Sequence, residues 1–259
     1  MSRRMLLVSA LLALAGPAGL PANGIFHKES SQLYALSAHG RVSLRNINGD
    51  VHIRAWDRDA VRIIAVETAP TKGLLDEALV LVDSTPGAIS IHTRYAGVSA
   101  TDPGSVEFTL MVPRHARLSE IKLINGAVDI EGVRGGVNAS SVNGPVRARE
   151  IGGDARLSTV NGRLEASFEG LLGAHSISMN SINGPISLFI PYNARAEFKA
   201  RNVTGGIDND FGFPVRRDGS AGSELHGVLK GGGTYISLRN VNGAICITPM
   251  DHGRRVKFT

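Results

Sequence analysis

Hydrophobic and polar residues alternate over short stretches that recur along the chain, each centred on an Asn-Gly pair. In "SINGPISL", Ile182 precedes the Asn, and Ile186 and Leu188 follow the Gly at alternate positions. Such alternation, bounded by glycine turns, predicts strands with one buried face. We expect the apolar residue before each Asn to share that buried face. These residues are Ile47, Ile124, Val142, Val160, Ile182, Val203 and Val241.

The pattern occurs seven times and defines an internal repeat. Its glycines are Gly49, Gly126, Gly144, Gly162, Gly184, Gly205 and Gly243, and the central copies recur every 18 to 22 residues. A second turn and a second strand lie between copies, as in "EIGGDARLST". Two architectures fit this unit: a meander of hairpins with type I′ turns, or a β-solenoid in which each unit is one coil.

The fixed place of the Asn-Gly pair favours the solenoid. Equivalent residues of successive coils lie above one another, so the Asn side chains would form a stacked amide row, with Gly supplying positive φ. A meander gives no comparable reason for every second turn to be identical. The fold class is therefore predicted as all-β, a β-solenoid with an irregular N-terminal β cap. The predicted turn row consists of Asn48, Gly49, Asn125, Gly126, Asn143, Gly144, Asn161, Gly162, Asn183, Gly184, Asn242 and Gly243.

The same alignment predicts neighbours between coils. The outward position three residues after the Gly is Asp129, Arg147 and Glu165 in consecutive copies. These side chains would lie about 4.8 Å apart, with alternating charge, and would stabilise the register modestly.

The chain divides into three segments. Residues 1–22 read as a secretory signal peptide, because Arg3 and Arg4 precede an apolar run that is too short to span a bilayer. Residues 23–120 are a looser β segment that caps or begins the solenoid. Residues 121–259 carry the repeats, with an irregular insertion over residues 211–233. We therefore expect an exported protein that is periplasmic, on the cell surface or extracellular, without a stable transmembrane anchor.

Charge and cysteine content narrow the classes of partner. Without Arg3 and Arg4 the chain has 26 basic and 23 acidic residues, too mild an excess to indicate a nucleic-acid partner. Cys246 is the only cysteine, so the exported chain has no internal disulfide and depends on packing and hydrogen bonds.

Three blocks of sequence resemble the bacterial putative-adhesin family of exported β-strand-repeat proteins. They are "LRNINGDVHIRAWDRDAVRI", "FTLMVPRHARLSEIKLINGAVDIEGVRGGVNASSVNG" and "GGGTYISLRNVNGAICI". The resemblance implies a β-solenoid outside the cytoplasm with an adhesive or envelope-associated role, and it offers no catalytic residues to carry over. The copy "NVTGG" departs from the pattern, with Thr204 in place of the Asn.

The sequence contains no constellation that identifies a reaction. Asp129, Glu131 and Glu165 are each offset by an Arg of a neighbouring copy, whereas a catalytic carboxylate pair needs two different environments. A calcium loop begun at Asp208 lacks the required Gly and Glu. The histidines show no metal-ligand spacing. We therefore predict no enzyme, no catalytic residue, no metal and no cofactor.

Two groups of residues are candidates for binding. One is the polar outer face of the second strand of each unit, and the other is the irregular segment. A cell-surface glycan or an envelope protein is the expected partner of an adhesin-like scaffold. A polysaccharide-cleaving enzyme on a β-helix and a regulatory partner of a membrane sensor remain as alternatives. The candidate binding residues are Asn138, Ser140, Ser158, Ser176, Ser178, Arg216, Arg217 and Lys230.

Overall fold

The computed structural model describes residues 3–6, 25–95, 104–217, 222–251 and 254–255, and the described part of the chain is almost entirely β-structure. Its one helix, α1 (Lys72–Glu77), is a short segment whose amino end is capped by the Thr71 hydroxyl, which accepts from the Leu74 amide at 3.2 Å. The strands are β1 (Arg3–Leu6), β2 (Phe26–Ala35), β3 (Arg41–Asn48), β4 (Val51–Trp56), β5 (Ala60–Ala69), β6 (Ala78–Thr85), β7 (Ala88–Tyr95), β8 (Ser105–Pro113), β9 (Arg117–Asn125), β10 (Val128–Glu131), β11 (Val137–Asn143), β12 (Val146–Ile151), β13 (Ala155–Asn161), β14 (Leu164–Phe168), β15 (Ser176–Asn183), β16 (Ile186–Pro191), β17 (Ala196–Thr204), β18 (Ile207–Asn209), β19 (Val215–Arg217), β20 (Ser223–Leu229), β21 (Thr234–Asn242), β22 (Ile245–Asp251) and β23 (Arg254–Arg255).

These strands form two large sheets. Sheet A has the order β1-β6-β7-β3-β9-β11-β13-β15-β21-β17-β20-β19, and sheet B has the order β18-β22-β16-β14-β12-β10-β4-β8-β5-β2, with β23 paired to β22. In each repeat the strand before the Asn-Gly pair belongs to sheet A and the strand after it belongs to sheet B. The chain therefore changes sheets at every copy of the repeat.

Neighbouring repeats pair in parallel with equivalent residues opposite each other. Asp129 lies opposite Arg147, and Arg147 lies opposite Glu165, as the alignment predicted. One feature of the order differs from the sequence: β21 lies between β15 and β17, so the last copy is inserted between the two copies before it.

The core lies between the two sheets and is continuous along the repeats. The positions two after each Gly are buried, as expected, and include Val146, Leu164 and Ile186 with no exposed surface. The position before each Asn was wrongly predicted. Val142 and Ile182 are exposed on the outer face of sheet A, because the Asn-Gly turn separates two strands of different sheets and shifts the phase of the alternation.

Antiparallel strands flank the repeats in the N-terminal segment. β5 joins β2 and β8 at one edge of sheet B, while β6 pairs with β7 at the edge of sheet A. β3, β4, β8 and β9 take part in the parallel stack, so residues 23–120 both begin and flank it. Most of the predicted signal peptide lies outside the described residues; its residues 3–6 pair antiparallel with residues 81–84 of β6.

The predicted insertion over residues 211–233 is more regular than expected. It contributes β19 and β20, which extend sheet A beyond β17 in antiparallel pairing. Phe213 anchors this segment: its ring lies 5.4 Å from that of Phe198 in the core and covers Gly227, where a side chain would clash with the ring. Residues 218–221, between the two strands, are outside the described part.

Candidate functional site

The six Asn-Gly asparagines form one hydrogen-bonded row at a corner between the sheets. Each Nδ2 donates to the Oδ1 of the preceding asparagine, at 2.8 to 2.9 Å, in the order Asn242, Asn183, Asn161, Asn143, Asn125 and Asn48. Asn48 closes one end by donating to the Gly104 carbonyl at 3.2 Å. At the other end Thr204 lies opposite Asn242 and replaces the amide. Because the amides bond to each other, this row holds the stack together and offers little to a ligand.

The glycine that follows each asparagine permits a close approach between repeats. Gly144 has φ +153°, and a Cβ added there would overlap the carbonyl oxygen of Gly126. Gly126 makes the same approach to Gly49, and Gly184 to Gly162. Glycine is thus required by space as well as by conformation.

A second polar row lies inside the molecule, two residues before five of the six asparagines, whereas Asn125 has Leu123 at this position. Ser141 Oγ donates to the Gly126 carbonyl and Thr159 Oγ1 to the Gly144 carbonyl, each at 2.9 Å. Asn240 Nδ2 donates to the Gly184 carbonyl at 3.1 Å. Buried carbonyls need such partners. The sequence signal was a polar residue at an inward position of an otherwise apolar strand, which the repeat alignment did not use.

The residues before the asparagines form a continuous apolar row on the outer face of sheet A. Exposure lies between 36% and 50% for Ile124, Val142, Ile182, Val203 and Val241. Parallel pairing places these side chains side by side across the strands. In spatial order the apolar row consists of Ile47, Ile124, Val142, Val160, Ile182, Val241 and Val203.

Next to the apolar row lies a row with small polar residues at its centre and cations at both ends. Ser140 lies opposite Ser158, and Ser158 opposite Asn180, in the middle of the face. The small side chains leave a shallow groove of about 620 Å³ between the apolar row and the longer cationic side chains. In spatial order this polar row consists of Arg45, Lys122, Ser140, Ser158, Asn180, Arg239 and Arg201.

The predicted polar residues are distributed around this groove. Ser140 and Ser158 line it, and Ser178 accepts from the Asn180 amide at 3.2 Å at its margin. Asn138 donates to the Ser119 carbonyl at 3.0 Å and is exposed. Ser176 is exposed at the start of β15.

The predicted basic residues of the irregular segment separate into two places. Arg216 lines a second cavity of about 580 Å³ at the edge of sheet A, and Arg201 lines both this cavity and the groove. Arg217, also exposed, follows on β19 opposite Ser223. Lys230 lies elsewhere, with its Nζ 5.5 Å from the centre of the Tyr192 ring. Arg216 is therefore connected to the groove through Arg201, whereas Lys230 lies apart from both cavities.

Two acidic residues on the outer face of sheet B, Asp129 and Glu131, are engaged with arginines. Asp129 lies 3.0 Å from Arg149 and 3.9 Å from Arg147, and Glu131 pairs with Arg54. Exposed ion pairs of this kind between adjacent strands stabilise the register modestly.

Three carboxyl groups of the described residues have shifted pKa values. Burial raises the pKa of Glu67, and the hydrogen bond from Lys28 at 3.1 Å offsets only part of this effect. The hydrogen bond from Arg114 lowers the pKa of Asp57, and the backbone amide of Ser176 lowers that of Asp154. Burial also raises the pKa of Tyr95 to about 12. These groups lie apart from the groove.

Neither a metal cluster nor a membrane-spanning helix occurs among the described residues. Within them no three His, Cys, Asp or Glu side chains converge to hold an ion. None of the helical structure described is long and apolar enough to cross a bilayer.

Comparison with known proteins returns structural neighbours alone. No family model and no curated protein matches the chain. A putative cell adhesion protein from Clostridium sporogenes ATCC 15579 is 10% identical with a TM-score of 0.48, covering 85% of this chain and 98% of that one. A putative adhesin from Bacteroides fragilis NCTC 9343 is 12% identical with a TM-score of 0.31, covering 90% and 100%. A putative lipid binding protein from Parabacteroides distasonis ATCC 8503 is 9% identical with a TM-score of 0.32, covering 86% and 95%. Similarity at this level does not bear on function.

Proposed function

We propose that the chain is an exported, non-enzymatic, adhesin-like binding module of the bacterial cell envelope, built as a β-solenoid. Each repeat would be one coil that contributes one strand to each sheet. The binding surface would be the outer face of sheet A, made by the apolar row, the polar row and the groove between them.

The observation that carries this proposal is the constancy of that face over seven strands. The apolar position is Val or Ile in every copy although it points outward, and no carboxylate of the described residues lines the groove beside it. A face that served solubility alone would have polar residues at an outward position. The amide row and the glycine contacts keep these strands in one register, which preorganises the face for binding.

The alternative of a polysaccharide-cleaving enzyme has less support in this arrangement. A glycosidase needs two carboxyl groups flanking the bond that is cleaved. Glu197 and Glu224 line the cavity beside Arg216, but Glu197 lies 3.2 Å from His226 and Glu224 lies 3.3 Å from Arg201. These contacts favour a structural role for both.

Co-sedimentation with bacterial envelope fragments and with insoluble cell-wall polysaccharides tests the proposal. Released sugar ends are measured in the same samples. Ser158→Glu places a carboxylate in the groove, and Thr109→Glu, on the outer face of sheet B, is the matched control. We expect the wild type and Thr109→Glu to sediment, Ser158→Glu to remain in solution, and no sugar ends to appear.

Two results would contradict the proposal. If the wild type sediments with none of these materials, the chain is not an envelope-binding module. Release of sugar ends would show catalysis and overturn the non-enzymatic assignment.

A further inference from the structure

We infer that the outer face of sheet A binds the surface of an anionic lipid bilayer, with the apolar row entering the headgroup region. This inference rests on the proposed function and names the partner of that face. Three properties of the face support it: its shape, its charge and the combination of the two.

The apolar row is long, narrow and level. It crosses seven strands, so it extends over six strand spacings of about 4.8 Å, or roughly 29 Å. Its β-branched side chains are short and lie beside one another on adjacent parallel strands, so none stands far above the rest. A row of this shape matches a planar boundary better than it matches a single small molecule, which would need a deep pocket.

The cations of this face exceed its carboxylates. Outward positions of the seven strands carry the cations Arg41, Arg45, Arg117, Lys122, Arg156, Lys199, Arg201 and Arg239 and the carboxylates Glu120 and Glu197. Glu120 is already paired with Arg45 at 2.7 Å, Glu197 with His226 of the adjacent strand β20, and Arg201 with Glu224 of β20 at 3.3 Å. Lys122 and Arg239, at the two ends of the groove, form no ion pair with any described residue. The face therefore favours an anionic partner.

The charge decides between the occupants that an apolar row could have. A second copy of this face would bring two cationic surfaces together, which is unfavourable. An acidic glycan would neutralise the cations and leave the apolar row in water. An anionic bilayer satisfies both rows at once, because its phosphates lie directly above the boundary between headgroups and acyl chains that accepts side chains such as Val and Ile.

Vesicle co-sedimentation with the purified full chain tests the inference. One set of vesicles is phosphatidylcholine, and the other is an equal mixture of phosphatidylcholine and phosphatidylglycerol. We expect binding to the anionic vesicles at low salt, about tenfold weaker binding to the neutral ones, and a marked loss as salt is added.

Two double variants separate the contributions of the rows. V160S/I182S interrupts the apolar row at its centre, and K122Q/R239Q removes the two cations at the ends of the groove that have no ion-pair partner among the described residues. Each should weaken binding to anionic vesicles about tenfold, and the second should also reduce the dependence on salt. Leu172→Ser, at a loop residue that is 97% exposed, and Arg62→Gln, on the outer face of sheet B, are the matched controls and should bind as the wild type does. Thermal melts establish that every variant is folded.

A local probe reports on insertion. Val160→Cys in a Cys246→Ser background carries a polarity-sensitive dye on the apolar row, and Thr109→Cys in the same background carries it on sheet B. Anionic vesicles should shift the emission of the first to the blue and leave the second unchanged. An equal response at both positions would contradict insertion through this face.

The outcomes separate this inference from the proposed function. Absent binding to anionic vesicles, or binding unaffected by both double variants, overturns the lipid inference. If envelope fragments still retain the wild type and release Ser158→Glu, the binding module stands and its partner is a glycan or a protein. If envelope fragments, polysaccharides and anionic vesicles all fail to retain the wild type, both proposals fail.

Discussion

The side-chain amide of Asn161 donates to the side-chain carbonyl of Asn143 at 2.9 Å, and its own carbonyl accepts from Asn183 at the same distance. Every interior member of the row has this double role. Each asparagine needs one neighbour on either side at the strand spacing. The row therefore stabilises only the register in which Asn lies opposite Asn. Alternative registers would leave amide groups unpaired at the corner.

Loss of an interior asparagine should cost more than loss of the terminal one. Asn161→Ala removes two hydrogen bonds, and Asn242→Ala removes its single bond to Asn183. We expect losses of about 2 and about 1 kcal/mol in the free energy of unfolding, measured by urea denaturation. Asn138→Ala, with one exposed bond to a backbone carbonyl, is the control and should lose less than either. Equal effects of all three variants would mean that the row contributes nothing special to stability.

The glycine of the same turn should be still less replaceable. Gly144→Ala forces a side chain onto the Gly126 carbonyl and places an L-residue at φ +153°, so we expect a loss of about 3 kcal/mol. Gly206→Ala is the matched control, since an added Cβ meets no atom within 4 Å there, and it should change stability by less than about 0.5 kcal/mol. Thermal melts of both variants check this contrast. A mild effect at Gly144 would show that the repeats can move apart at this corner.

The register between repeats was predicted from the sequence, but the spatial order of the repeats in the sheets was not. The pairing of Asp129 with Arg147 follows from aligning the copies, because parallel strands place equivalent residues opposite each other. The position of β21 does not follow from that alignment, since every copy has the same inward apolar pattern. The order of the last two copies could have been predicted from Thr204. Threonine cannot continue a row of amide hydrogen bonds, whereas Asn242 can. The copy with Asn242 therefore lies next to Asn183.

The candidate face was only partly predictable. Ser140 and Ser158 were placed outward correctly, as half-buried residues that line the groove. Val142 was assigned to the core because it stands an even number of residues before Val146. The turn between them passes from sheet A to sheet B, so one side chain faces out and the other faces in. A period of two holds within a strand and is lost across such a turn.

Adjacent residues of β16 should respond very differently to the same charge. Ile186 has no exposed surface, and Ile186→Asp would bury an unpaired carboxylate, with an expected loss of more than about 4 kcal/mol. Ser187 lies on the outer face between Glu165 and Cys246, so Ser187→Asp should cost no more than about 1 kcal/mol through repulsion by Glu165. Urea denaturation measures both, and circular dichroism shows whether the first variant folds at all. The reverse order would place the register one residue away from the one described.

Glu67 should give the protein a pH dependence opposite in sign to that of an ordinary surface carboxylate. Its side chain is 2% exposed, and burial outweighs the ion pair with Lys28, so its pKa is raised in the folded state. The folded chain therefore binds this proton more tightly than the unfolded chain does. Its contribution is complete below the unfolded pKa of about 4.3 and is lost as pH rises through the folded pKa.

Glu67→Gln keeps an oxygen that accepts from Lys28 and removes the titration. The difference in unfolding free energy between this variant and the wild type should shift in favour of the variant as pH rises through that window. Taking the difference matters because Asp57 and Asp154 have lowered pKa values and add a slope of the opposite sign to both proteins. Urea denaturation across the window measures it, with Glu107→Gln, an exposed residue opposite Val66 on the adjacent strand, as the control. A difference that stays flat with pH for Glu67→Gln would show that the Lys28 ion pair compensates fully for the burial of this carboxylate.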